Sequence, residues 1–269
     1  MWKRQAPRSP EPTQRGHKTW LRIAPRPGVY LLTGLLLLAA GTAAAEPLKS
    51  FEARYRISVS KIPTPVHATM SLQPLEKYQG MYRMKLVIDS WLLSNREESV
   101  FAWRDCKPRT DHYIHEFEGL GRHRWHHMNF FRHPPRVVNE SEEETTEYEI
   151  EDDTLDELTL LLHAGCALED GAETYKGKAA YGDEVNEHHI KVTDRETLDT
   201  PAGRLDTLVV QKQRDEDSKR RTLFWVAPAL DYMVVRAKHI ENPALFGELI
   251  MTEYEGPGVE QTEQASAKP

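Results

Sequence analysis

The chain has 269 residues, of which 39% are hydrophobic and 29% are charged, with a formal net charge of −7 and an isoelectric point near 6.0. This length supports one large domain or two small ones, each with a real hydrophobic core. The composition excludes collagen-like, coiled-coil and multi-span membrane proteins, and the acidic balance argues against a general nucleic-acid binder.

The first 45 residues have the pattern of a cleaved signal peptide. Residues 1–28 carry seven basic side chains and one acidic one, and an apolar run from about Val29 to Ala40 follows. That run is shorter than the ~20 residues that a spanning helix needs, which disfavours the alternative of an uncleaved anchor. Ala43 and Ala45 then supply the small-x-small pair that a signal peptidase recognises. We expect cleavage after Ala45 and a periplasmic mature protein.

The mature chain is strongly acidic. Without residues 1–45 it has 28 basic against 41 acidic side chains, a net charge of −13 over 224 residues. Such a surface keeps an exported protein soluble and repels nucleic acid and anionic headgroups, because clusters of basic residues are what hold those partners. A lipid would therefore have to be held through its tails.

Two cysteines, Cys106 and Cys166, suit an oxidising compartment. A bridge across that loop would stabilise the fold by roughly 4 kcal/mol on the chain-entropy model. The alternative is that Cys166, which lies among leucines, is a buried free thiol. Neither cysteine belongs to a Cys-x-x-Cys pair, which disfavours redox or nucleophilic chemistry.

Strand patterns dominate the mature chain. Phe51, Ala53, Tyr55, Ile57 and Val59 alternate with polar residues, and eleven further runs with turn residues between them predict strands near 68–72, 82–88, 100–103, 113–117, 122–131, 175–181, 188–197, 205–211, 220–226, 233–240 and 248–254. Strand follows strand without intervening helices, which excludes an alternating β-α parallel sheet. We expect a mainly β fold, either a large curved antiparallel sheet or a partly open β-barrel.

One helix is predicted near residues 154–168. Thr154 followed by Glu157 forms a capping-box pattern, and Gly171 stops the helix. Leucines 155, 158, 161 and 162 form a stripe that we expect to cover one face of the sheet. The eleven acidic side chains from 140 to 157 lack the spacing of a calcium loop and predict a solvated loop. The expected organisation is a single domain over residues 46–255 and a disordered tail over 256–269.

The layout resembles an exported bacterial family of unknown function, family 3108. The resemblance spans residues 51 to about 254 and rests on short segments in a fixed order: Phe51-x-x-x-Tyr55, Ser99-x-Phe101, Lys107-Pro108-Arg109, Asp156-x-Leu158-Thr159, Thr200-Pro201-Ala202-Gly203, Arg220-Arg221, Phe224-Trp225-Val226-Ala227-Pro228 and Asp231-Tyr232-Met233-Val234-Val235-Arg236. It implies an envelope protein with a mostly antiparallel fold. It transfers no catalytic residue.

Six histidines lie between residues 112 and 133. In the predicted hairpin His123 and His127 share a face with Trp125, while His126 shares the other face with Arg122 and Arg124. The hairpin also brings His115 toward this group, so a three-histidine metal site is geometrically feasible. The neighbouring arginines disfavour a cation, however, and the other interpretations are a polar strand face or an anion site at Arg122, Arg124 and His126. We expect no bound metal.

Familiar catalytic motifs are missing from the sequence. There is no Gly-x-Ser-x-Gly elbow, no Ser-x-x-Lys pair and no glycine-rich phosphate loop. We assign no catalytic residue and no cofactor.

The aromatic side chains point to a ligand. One helix can cover only part of an extended sheet, so the uncovered face must meet a partner or hold an apolar molecule. The cavity candidates are aromatic residues in or beside strands: Tyr55, Trp91, Phe101, Trp103, Trp125, Phe224 and Trp225. The preferred hypothesis is a non-catalytic carrier of a hydrophobic envelope molecule such as a lipid. The alternatives are an envelope enzyme with a histidine site that could use a metal, and a structural partner in an envelope complex.

Overall fold

The structure is a computed structural model that describes residues 47–91, 93–119, 121–214 and 218–258. The predicted signal peptide over 1–45 and most of the predicted tail lie outside these ranges. Residues 256–258 of that tail are described, and Pro257 lines a cavity. Within the described ranges, no helix has the length and apolar character needed to cross a bilayer.

The first half of the domain is an antiparallel meander, in which each strand pairs with the next along the chain. Its strands are β1 (Phe51–Val59), β2 (Ile62–Pro74), β3 (Met81–Asp89), β4 (Leu93–Arg104), β5 (Lys107–Gly119), β6 (Arg122–Arg132), β7 (Pro135–Ser141) and β8 (Thr145–Glu149). The prediction of a solvated loop from residue 140 was wrong in part. The segment Pro135–Glu149 forms a hairpin, because alternate residues such as Val137 and Asn139 are buried while the acidic side chains face solvent.

The second half is another meander, which follows helix α1 (Glu157–Glu169). Its strands are β9 (Thr174–Tyr181), β10 (Glu184–Thr200), β11 (Gly203–Lys212), β12 (Arg221–Ala227), β13 (Met233–Asn242) and β14 (Leu245–Glu255), with a short 3-10 helix at Pro228–Leu230 between β12 and β13. Strand β14 pairs with β1, so all fourteen described strands form one sheet whose edges are β8 and β9.

The two sheet edges lie close together. The chain leaving β8 forms a parallel bridge to β9, in which Leu155 N donates to Lys178 O at 3.0 Å and Ala180 N donates to Leu155 O at 2.8 Å. The Tyr148 hydroxyl of β8 donates to Gly182 O at 3.1 Å. These contacts bend the sheet into a nearly closed form and cover its edges. The expected antiparallel, barrel-like fold is thereby confirmed.

Helix α1 packs on several sides rather than along one stripe. Leu158 belongs to the main core, whereas Leu160 packs with Tyr175 of β9 and Leu168 packs with Val210 of β11. A helix that is apolar around its circumference is typically surrounded by other elements, and here the curved sheet surrounds it. The stripe prediction was wrong in two respects, since Leu155 precedes the helix and Leu161 is 37% exposed.

Asp156, not Thr154, caps the helix. Its carboxylate accepts from the backbone N of Leu158 at 2.9 Å and of Thr159 at 3.0 Å, and the Thr159 side chain completes the capping box. The same fully buried carboxylate accepts from the hydroxyls of Ser99 in β4 and Thr110 in β5. The cap therefore also attaches the helix to the sheet.

A disulfide holds the other half of the helix. Cys106 lies in the turn between β4 and β5 and is bonded to Cys166 of α1, with the two Cα atoms 5.9 Å apart. Residues Asp105 and Cys106 both have positive φ, which tightens that turn beneath the helix. The helix is thus fixed at two places to the same hairpin, and this defines the spaces on either side of it.

Candidate functional site

Two partly open cavities lie beside α1, and the larger of them, between the helix and the first strands of the sheet, has a volume of about 480 Å³. Its walls are mainly apolar. From the helix come Leu161, Leu162 and Gly165, and from the sheet and its turns come Phe51, Met70, Leu72, Met84, Trp103, Leu230, Met233 and Tyr254. Ligand pockets in proteins are commonly 300–1,000 Å³ and mostly apolar, so this cavity has the size of a small-ligand site.

The smaller cavity, of about 230 Å³, lies on the other side of the helix against β9–β13. Its apolar walls come from Leu160, Leu161, Ala164, Leu168, Tyr175, Ile190, Val210, Phe224, Val226 and Tyr232. One part of its lining is charged or polar and is formed by Glu157, His188, Lys212, Arg214 and Thr222. The cavity is therefore amphipathic. The larger one also has charged residues in its lining, among them Lys49, Asp105 and Glu169.

The two cavities adjoin each other. Both are lined by Leu161, Gly165, Tyr232 and Val234. A Cβ added at Gly165 would lie 3.6 Å from the Tyr232 Cβ, an ordinary van der Waals contact, so the helix lies close to that residue at this position. Leu161, one helical turn earlier, is exposed to solvent between the cavities. A side chain at position 161 therefore contacts the contents of either space.

A chain of hydrogen bonds lies among the polar residues near the start of the helix. The Tyr181 hydroxyl donates to Nδ1 of His115 at 2.9 Å, and Nε2 of His115 donates to Asn95 Oδ1 at 2.8 Å. Asn95 Nδ2 in turn donates to Glu97 Oε1 at 3.3 Å, and the Tyr113 hydroxyl donates to Glu97 Oε2 at 2.9 Å. Every member thus has a partner.

The ionisable members of this chain have shifted pKa values. Burial lowers the pKa of His115, and the adjacent His126 lowers it further, which is consistent with a neutral ring that donates through Nε2. Burial raises the pKa of Glu97, while the hydrogen bonds from Tyr113 and Asn95 oppose the rise. The neutral forms of His115 and Glu97 are therefore favoured. Their hydrogen bonds stabilise the interior of the fold near the helix cap.

On the opposite face of β4, three basic side chains surround the carboxylate of Glu98. Arg83, Lys85 and Arg96 all form ion pairs with its carboxylate, at 2.9, 3.3 and 2.8 Å. Burial alone would raise the pKa of Glu98, but the hydrogen bond from Arg96 and the charge of Lys85 lower it overall. Three cations around one buried carboxylate stabilise the sheet from outside the cavities.

The predicted aromatic residues do not form one cavity wall. Trp103 lines the larger cavity and Phe224 the smaller one. Tyr55 and Phe101 are instead fully buried core residues, with the Tyr55 hydroxyl donating to Val234 O at 2.9 Å and Phe101 packed against Tyr82. These two fill the core because the strands beneath them leave no space for a ligand.

The remaining three predicted aromatics also lie elsewhere. Trp225 is on the opposite strand face from its neighbour Phe224, beneath the guanidinium of Arg236. Trp125 packs on His127 with ring centroids 4.8 Å apart. Trp91 is 84% exposed at a hairpin tip. The prediction that these three residues line an interior cavity was therefore wrong. Alternation along a strand places successive side chains on opposite faces of the sheet, but it does not tell which face is enclosed.

The predicted polar cluster is divided between the two strand faces. His115 and His126 are cross-strand partners beside Tyr181, with their ring centroids 6.4 Å apart. His127 contacts Glu116 at 3.2 Å on the other face. Arg122, His123 and Arg124 are exposed, with Arg122 and His123 beside an open surface depression that Trp91 also lines. The six candidates therefore do not form one site.

The described residues contain one group of three side chains close enough to share a metal ion, namely Cys106, Cys166 and Glu169. Both sulfur atoms belong to the disulfide, so they offer no thiolate ligand. The histidines of the β5–β6 hairpin do not form such a group in the described part of the chain.

Gly165, Lys212 and Tyr232 are among the many cavity residues that the sequence analysis missed, and Leu161 was assigned to packing. No local pattern distinguishes Lys212 from other strand-end lysines. The sequence carries no signal for Tyr232 either, since the positive φ of Asp231 and Tyr232 is seen only in the structure.

A nearly closed antiparallel sheet around one helix, with cavities beside that helix, defines a β-barrel-like fold. The chain belongs to the DUF3108 family of proteins of unknown function, whose sequence pattern matches residues 53–250. No curated protein sequence matches the chain.

Solved structures show the same kind of fold. A β-barrel-like protein of the domain of unknown function DUF1849 from Brucella abortus superposes with a TM-score of 0.52 at 7% identity, over 79% of this chain and 99% of that one. A "putative lipoprotein" from Parabacteroides distasonis aligns over 79% of this chain and 97% of that one, with 9% identity and a TM-score of 0.27. At these identities the first likeness shows the fold alone, and the second carries no argument.

Proposed function

We propose that this protein is a non-catalytic carrier that binds a hydrophobic molecule of the cell envelope, such as a lipid, in the cavities beside α1. The larger cavity carries the proposal. Its volume of about 480 Å³ falls within the range of ligand sites, and residues such as Met70, Leu72 and Met84 give it apolar walls.

The driving force for binding would be burial of apolar surface, which contributes about 25 cal/mol for each Å² removed from water. Leu161 is a large apolar side chain of the helix that the fold leaves 37% exposed. A ligand that covers it would remove this exposure. The carrier hypothesis therefore accounts for a feature that packing alone does not explain.

The compartment that we propose is the periplasm. The disulfide between Cys106 and Cys166 suits an oxidising environment, where such bridges persist. The N-terminal basic segment, apolar run and Ala43-x-Ala45 pair supply the route of export. The acidic mature chain would remain soluble there and would bind its ligand without adhering to anionic membrane surfaces.

The enzyme alternative has less support than the carrier, because the histidines that motivated it lie on two faces of the sheet. A role as a structural partner in an envelope complex would not require the interior cavities. Whether an apolar molecule occupies the cavities therefore distinguishes the carrier from the structural partner.

The test combines native mass spectrometry of the protein isolated from the periplasm with titration of N-phenyl-1-naphthylamine, an uncharged fluorescent probe. We expect a polypeptide that begins at Glu46, carries an extractable apolar molecule and binds the probe after delipidation. Leu161→Glu should weaken probe binding at least tenfold, because it places a charge at both cavities.

The matched control is Ile62→Glu, which makes the same chemical change at a residue that is 69% exposed and lines neither cavity. This variant should bind the probe like the wild type. The proposal fails if no apolar molecule copurifies and the probe does not bind, or if both variants bind it equally well. Retention of residues 1–45 in the membrane fraction would refute the proposed export.

A further inference from the structure

The smaller cavity combines a charged end with apolar walls. Lys212 lies at the end of β11, and Arg214 follows it. Across the cavity are His188 of β10 and Glu157 in the first turn of the helix. The rest of the lining is apolar, with Leu160, Val210 and Phe224 among its members. This lining is complementary to an amphiphile, a molecule with one polar end and an apolar body.

The contacts at this end show which hydrogen-bond donors of Lys212 remain available to a ligand. Nε2 of His188 lies 3.2 Å from Glu157 Oε1, without the geometry of a hydrogen bond. Nδ1 of the same ring then accepts from the Lys212 ammonium at 3.2 Å. An ammonium has three N–H donors, and His188 takes one of them. Among the described residues, no partner takes the other two.

The charges of the lining residues favour an anion. Lys212 and Arg214 contribute two positive charges against one negative charge from Glu157. Burial lowers the pKa of Lys212, and Arg214 lowers it further, while Glu157 raises it. A second anionic group beside Lys212 would offset this cost of burial.

From this geometry we propose that the smaller cavity binds a single-chain amphiphile by its anionic head, a carboxylate or a phosphate monoester, which accepts hydrogen bonds from Lys212 and Arg214. The chain would lie along Leu160, Val210 and Phe224 toward the adjoining larger cavity. The inference rests on the proposed carrier function and narrows its ligand from apolar molecules in general to charged ones. The acidic net charge opposes an anionic head at long range, and burial of the apolar tail offsets that repulsion.

The test compares two fluorescent ligands that differ only in head charge, cis-parinaric acid and its methyl ester. Lys212→Met removes the positive charge and keeps an unbranched apolar chain. It should weaken binding of the acid tenfold or more, because a charged hydrogen bond is lost, and should leave binding of the ester unchanged. Lys212→Arg should restore binding of the acid.

The control is Lys191→Met on the neighbouring strand β10. Lys191 is exposed and does not line the cavity. Both ligands should therefore bind to this variant as they do to the wild type. Dodecanoate and dodecyl phosphate then compete against cis-parinarate, and the stronger competitor identifies the head. Unfolding temperatures of all variants verify that each is folded.

The outcomes separate this inference from the carrier function. If the wild type binds neither ligand, the carrier function itself fails. If it binds acid and ester equally well, or if Lys212→Met weakens both to the same extent, the protein is a carrier but the anionic site is refuted. Failure of both dodecyl competitors to displace the acid would refute the site as well.

Discussion

Replacing Asp156 by alanine tests how the helix is held inside the sheet. The Asp156 side chain is fully buried and accepts from two backbone amides of α1 and from the hydroxyls of Ser99, Thr110 and Thr159. Alanine keeps the backbone geometry available and removes every one of these acceptors. The helix then loses both its cap and its attachment to β4 and β5.

The magnitude follows from these contacts. Loss of a helix N-cap costs about 1 kcal/mol. Each buried donor that is left without an acceptor costs roughly 1–3 kcal/mol more. Part of this is recovered, because the hydroxyls of Thr110 and Thr159 are 3.0 Å apart and can bond each other. We expect the free energy of unfolding to fall by about 3–5 kcal/mol, and the melting temperature to fall by roughly 6–20 °C.

The assay is equilibrium unfolding in urea, with the disulfide intact, and the matched control is Thr154→Ala. Thr154 is equally buried and fits the capping pattern in the sequence, but its hydroxyl accepts only from Glu151 N at 3.2 Å. Its loss should cost about 1 kcal/mol. Equal destabilisation by the two variants would refute the role assigned to Asp156, as would a change below about 1 kcal/mol for Asp156→Ala.

The other two predictions concern the disulfide and pH. The double variant Cys106→Ser/Cys166→Ser opens a loop with a sequence separation of 60 and should lower the free energy of unfolding by about 4 kcal/mol, measured in urea; a loss below ~1 kcal/mol would contradict the chain-entropy estimate. Because burial holds the pKa of His115 below 6.5, the unfolded state binds more protons just below that pH, so stability should fall as pH drops below 6.5. His115→Gln should flatten this slope between pH 7.5 and 5, and an unchanged slope would contradict it.

Local sequence patterns were sufficient for most of the strands and for the fold class. Alternation in Phe51–Val59 and glycines such as Gly121 at a hairpin turn act within a few residues, so periodicity reveals them. The β7–β8 hairpin was missed because a dense run of acidic residues resembles a solvated loop. Few residues form its buried face, and one of them, Asn139, is polar like its exposed neighbours. The alternation of hydrophobic and polar residues around Val137 is therefore weak.

The candidate site was only partly accessible from sequence. Trp103 and Phe224 were identified because large aromatics in strands must be enclosed somewhere, and both line cavities. Trp225 was placed beside Phe224 although alternation sets the two on opposite faces. Sequence could not tell which of these faces the curved sheet encloses, since that depends on how distant strands close around the helix.

The sequence by itself determined the strand-rich class, the position of one helix, the family and the acidic net charge, because these depend on composition and short-range patterns. Only the tertiary structure decided that Asp156 rather than Thr154 caps the helix, since the hydroxyls that select it come from β4 and β5. It also brought Glu157, His188 and Lys212 together from three separate elements. Contacts of this kind depend on the closure of the whole sheet, and no local pattern encodes them.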